Sequence, residues 1–114
     1  MDNIFKQTLL YDFYGELLNE HQRKVYEDAV FNDLSLSEVA DNYGVSRQAI
    51  YDLIKRVTKM LEKYENKLHM IERFAKMQDI AQGIKDTIAE YKESRNDKLL
   101  DKISEDTELI IDEF

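Results

Sequence analysis

Cysteine, proline and tryptophan are absent from the 114-residue chain, and glycine occurs only three times. Without cysteine there is no disulfide, no thiolate metal site and no cysteine nucleophile. No apolar run exceeds three residues, which leaves neither a membrane span nor a signal-peptide core and suggests the cytoplasm. Gly15, Gly44 and Gly83 stand apart, so no glycine-rich phosphate loop is present. The two histidines, His21 and His69, have no second histidine or paired carboxylate at ligand spacing and read as surface residues. Carboxylates follow solvated helix faces instead of converging. No metal, cofactor or catalytic constellation is expected.

Charged residues make up 35% of the chain and the apolar fraction is 43%, enough for the chain to fold. With no proline and few glycines, this composition favours an all-α protein. The net charge of −8 argues against a generic nucleic-acid binder. Its distribution softens that objection. Residues 44–63 carry Arg47, Lys55, Arg56, Lys59 and Lys63 against Asp52 and Glu62, whereas residues 65–114 carry 13 acids against 8 bases.

The organising stretch is SLSEVADNYGVSRQAIYDLIKR, Ser35 to Arg56. Ser35 followed by Glu38 is a capping box, which satisfies orphaned amides at a helix start. Val39 and Ala40 then face inward, and Gly44 can take the left-handed conformation that ends a helix. Ser46 caps a second helix, on which Ile50, Leu53, Ile54 and Val57 make one apolar stripe. A small residue at 40, a glycine at 44, and Tyr43 and Val45 among the hydrophobes complete the spacing of a helix-turn-helix. The plainer reading is two core-packing helices that share this spacing without its function.

Preceded by LLNEHQRKVYEDAVFNDL, this stretch resembles the DNA-binding region 4 of bacterial sigma factors. The run from Tyr11 to Arg56 resembles the bacterial YlxM family more closely, and the likeness continues through YENKL, Tyr64 to Leu68. The resemblance implies an all-helical protein with a sigma region 4-like or winged-helix-like three-helix core. It also implies a DNA-binding regulator with a part in the signal recognition particle pathway.

Upstream, a first helix is expected over Asn3 to Leu18, capped by Asp2 or Asn3. Its broad apolar face comprises Phe5, Leu9, Phe13 and Leu17 with Leu10, Tyr14 and Leu18 alongside. A second helix is expected over Asn19 to Asn32, capped by Asn19 and Gln22, with Val25, Ala29 and Val30 inward and Tyr26 and Phe31 near the edges. From Ser46 to Glu93 no strong breaker appears apart from Gly83. The stripe Leu61, Tyr64, Leu68, Ile71 loses phase against Phe74, Met77, Ala81, Ile84, Ile88, Tyr91, so a bend is expected near Ile71 to Phe74. Unbroken, that helix would run about 70 Å.

Ser94 to Asp97 reads as a turn. A last helix then carries Leu99, Leu100, Ile103, Leu109, Ile110 and Phe114, unless EDTELIIDEF is a mobile tail. The expected organisation is a helix-turn-helix domain over residues 1–63 and a helical extension over 64–114. Phe74, Met77, Ala81, Ile84, Ile88 and Tyr91 form a seam for a homodimer, which would present two motif helices to a two-fold DNA site.

Three functions compete. In the first, the second motif helix binds DNA through Ser46, Arg47, Gln48, Tyr51, Asp52, Lys55, Arg56 and Lys59. Arg47 would read guanine and Gln48 adenine, with Asp52 the discordant residue. In the second, the motif is an adaptor surface for the signal recognition particle GTPase or its RNA. In the third, the protein is a helical dimer whose motif binds nothing.

Overall fold

Asn19, Ser35 and Ser46 each stand just before a helix, and each side chain accepts a hydrogen bond from the amide three residues on. At the first two, the side chains of Gln22 and Glu38 return the bond to the cap residue's own amide, which closes both capping boxes. The protein, in a computed structural model, is described over residues 3–113. Its helices are α1 (Asn3–Tyr14), α2 (Glu20–Tyr26), α3 (Leu36–Tyr43), α4 (Arg47–Leu68), α5 (Met70–Ser94) and α6 (Lys98–Glu113). A 3-10 turn, Gly15–Leu17, follows α1, and a π turn, Glu27–Phe31, continues α2. Among the described residues no strand forms, so the helical core carries no wing, and no helix is long and apolar enough to cross a membrane. The expected cap at Asp2 and the expected apolar contact of Phe114 lie outside the described residues.

The chain divides into two units, one ending at Ile71 and one beginning at Glu72. In the first, α4 packs against α1, α2 and α3. Its core joins Leu10, Tyr14 and Leu18 to Val25 and Tyr26 of α2, Val39 and Ala40 of α3, and Ile50, Leu53, Val57 and Leu61 of α4. Each large apolar side chain removed from water here contributes about 1.5–3 kcal/mol. This unit runs past Lys63 because Tyr64 and Ile71 pack against the same core.

Several local expectations are corrected. The first helix stops at Tyr14 instead of Leu18, because Gly15 lies beneath the Tyr11 ring and opens a 3-10 turn. Its apolar face is used unequally: Leu10, Tyr14 and Leu18 are buried, Leu9 and Phe13 are half-buried, and Phe5 and Leu17 are exposed. Tyr26 is not at an edge. It is fully buried, its ring stacks on Tyr11, and its hydroxyl meets Thr58 Oγ1 at 2.9 Å. Val45 is exposed instead of packed.

The long helix breaks at His69, two residues before the expected bend. His69 takes left-handed torsions, φ 55° and ψ 29°. The first amides of α5 then find acceptors made by tertiary structure: Met70 N–H donates to the Tyr14 hydroxyl at 3.1 Å and Ile71 N–H to Glu65 Oε1 at 3.0 Å. Tyr14 in turn donates to Glu65.

In the second unit, α5 and α6 form an antiparallel hairpin. Asn96 Oδ1 accepts from the Lys98 amide at the turn. Arg73 and Lys76 hold the Glu113 carboxylate at the open end, at 3.3 and 3.0 Å. Halfway along, a Cβ added to Gly83 would lie 3.8 Å from Asp106 Oδ2. The segment that could have been a mobile tail is helical through Glu113.

Candidate nucleic-acid interface

The motif is α3, a tight turn and α4. Gly44 ends α3 at φ 66° and ψ 35°, and the Val45 amide returns to the Ala40 carbonyl at 3.0 Å. That left-handed residue redirects the chain sharply enough for Ser46 to begin α4 beside the start of α3. Tyr43, the last residue of α3, donates to Asp28 Oδ2 at 2.9 Å and so ties the motif to the π turn. The Asp28 carboxylate, with burial adding to it, raises the Tyr43 pKa.

Two open concavities run along α4. Ser46, Arg47, Gln48 and Tyr51 line the first, together with Ser35, Leu36 and Ser37 from the start of α3. Two helix N-termini therefore meet there, each with first-turn amides that lack acceptors within their own helix. The second is lined by Asp52, Lys55, Arg56, Lys59, Met60, Glu62, Lys63 and Asn66. All eight residues expected to contact nucleic acid are exposed and fall into these two adjoining hollows.

The charges in the hollows are not equal partners. Gln48 Nε2 donates to Asp52 Oδ1 at 2.9 Å, and Lys6 pairs with Glu62 at 3.2 Å. Arg47, Lys55, Arg56, Lys59 and Lys63 have no carboxylate partner among the described residues. Asp52, discordant as a base reader, thus acts within its own helix, where it holds the Gln48 amide in place.

Sequence reasoning missed residues 35–37 as part of this surface, though the Ser35 capping box marks the helix start that places them. It also missed Lys6, which lies 56 positions from Glu62 and leaves no periodic signal. Of the expected dimer seam, Met77, Ile84 and Tyr91 are half-buried, while Phe74, Ala81 and Ile88 are exposed.

The family model described as "Putative helix-turn-helix protein, YlxM / p13 like", UPF0122, matches residues 1–106. A UPF0122 protein of Clostridium kluyveri is 41% identical over 103 residues, covering 90% of this chain and 93% of its own. One from Halalkalibacterium halodurans is 43% identical over 88 residues, covering 77% and 81%. One from Thermoanaerobacter sp. strain X514 is 38% identical over 113 residues, covering 99% and 97%.

Proposed function

The chain belongs to the UPF0122 family of YlxM / p13 like helix-turn-helix proteins, and on that basis we propose that it is a cytoplasmic DNA-binding regulator that engages duplex DNA through α4. One observation carries this reading. The five cations of residues 44–63 are exposed and have no carboxylate partner among the described residues, while both acids among them are already engaged by Gln48 and Lys6. Lys55, Arg56, Lys59 and Lys63 meet phosphates, which sets affinity without reading sequence. Arg47, at the first turn of α4, reaches a guanine edge. Phosphate also suits the first hollow, where the starts of α3 and α4 converge.

Fluorescence anisotropy against a randomised duplex library, followed by the enriched sequence, tests the proposal. Arg47→Ala should cost about 1–3 kcal/mol on the enriched site and little on random DNA. Lys55→Ala and Lys59→Ala should weaken binding to all sequences and lower the salt slope by about one each. Unaltered binding in the triple variant, with circular dichroism unchanged, would sink the proposal.

The excess acidity of residues 65–114 favours a second reading, in which the motif serves the signal recognition particle. Saturable binding to its RNA or GTPase near physiological salt, without enrichment of any duplex, would replace the first reading with this one.

A further inference from the structure

Among the described residues, every buried apolar side chain lies between Leu10 and Leu61. Among its described residues the second unit buries only Thr87 and Asp106, both polar. A two-helix hairpin gives each helix one neighbour and cannot enclose a core by itself. Its apolar residues nevertheless follow a pattern. Met77, Ile80, Ile84 and Tyr91 of α5 are half-buried toward α6. Beside that seam, Ala81 and Ile88 of α5 are exposed, as are Leu100 and Ile111 of α6.

Residues seven or eleven apart share a helix face, so each pair is one row. Both rows lie on the same rotational side of their seam, and in an antiparallel hairpin those sides coincide. On the register set by Gly83–Asp106 and Arg73–Glu113, Ile88 comes level with Leu100 and Ile111 with Met77. Ser104 and Thr107 stand between Leu100 and Ile111 on that side of α6, so the hairpin has one apolar face, interrupted there by two small polar residues.

The charges along its edges select what covers it. The α5 edge carries Lys85 and Lys92, and the α6 edge carries Asp97, Asp101 and Glu108. None of the five has an ion-pair partner among the described residues. A two-fold axis parallel to the helices lays α5 of one copy on α6 of the other and sets basic edge against acidic edge on both sides. A two-fold axis across the helices would set lysine against lysine.

We propose that a second copy of this chain covers the face, with Lys85 and Lys92 of each protomer against Asp97, Asp101 and Glu108 of its partner. Each helix of the resulting four-helix bundle is antiparallel to both neighbours. The inference stands apart from the nucleic-acid reading.

Sedimentation equilibrium of the full chain at micromolar concentration tests it, with circular dichroism to check that each variant keeps its helix. The wild type should sediment as a dimer, and Ile88→Gln with Leu100→Gln as a monomer. Lys85→Glu with Lys92→Glu should weaken self-association about tenfold, and so should Asp97→Lys with Asp101→Lys and Glu108→Lys. Mixed one to one, the two reversed chains should recover wild-type affinity as a heterodimer. A monomeric wild type overturns the proposal. So do reversed chains that self-associate like the wild type and show no preference for each other.

Discussion

Gly44 has no atom within 4 Å of where a Cβ would stand, so its constraint is torsional and not spatial. At φ 66° a β-branched side chain is strained by its own backbone. Gly44→Val should therefore destabilise by about 1–3 kcal/mol, and Gly44→Asn by less, because asparagine tolerates left-handed torsions. Ala40 is the opposite case, 3% exposed on the core side of α3. Ala40→Leu should cost about 1–3 kcal/mol by overpacking. Thermal unfolding separates the two causes, since a smaller side chain rescues position 40 and a flexible backbone rescues position 44. Either Gly44→Val or Ala40→Leu melting at the wild-type temperature would contradict this motif geometry.

Between α4 and α5, one carboxylate does what a local cap does elsewhere. Glu65 accepts from the Tyr14 hydroxyl and from the Ile71 amide, and its own carbonyl accepts from His69 N–H at 2.8 Å. Burial first and the Glu65 carboxylate second raise the Tyr14 pKa. Glu65→Ala leaves a buried hydroxyl and a helix-start amide without this acceptor and should cost about 1–3 kcal/mol. Glu65→Gln keeps the accepting oxygen and should recover most of that. Chemical denaturation read by circular dichroism checks the pair, and equal losses in the two variants would show that charge, not the accepting oxygen, is what matters.

Across the whole molecule, titration separates the units. Burial raises the pKa of Tyr26 in the first unit, as it does for Tyr14, and Asp28 raises that of Tyr43. Folded tyrosines that hold their protons while the unfolded chain loses them give stability that is complete below the ordinary range, near about pH 10, and falls as pH rises through it. In the hairpin the sign reverses. Lys76 and then Arg73 hold the Glu113 pKa below the usual carboxylate range. Its contribution is present above that range and is lost as pH falls through the folded value. Hydrogen exchange should therefore show α5 and α6 opening first in acid and the helix-turn-helix unit opening first in alkali. The reverse order would contradict both assignments.

What the sequence determined by itself is what acts within four residues. The caps at Asn19, Ser35 and Ser46, the left-handed Gly44 and the stripe Ile50, Leu53, Val57 all form as their spacing requires, because a cap or a helical repeat needs only its neighbours along the chain. Tertiary structure decided what depends on distant partners. His69 ends a helix because Tyr14, some 56 positions from Met70, supplies an acceptor to the next one. Tyr26 is buried because Thr58 of α4 satisfies its hydroxyl, a bond with no local signature. The apolar edge of α1 that faces inward, and the side of α5 that faces α6, were open because each helix carries more apolar surface than one neighbour can cover. Only the position of that neighbour chose between them.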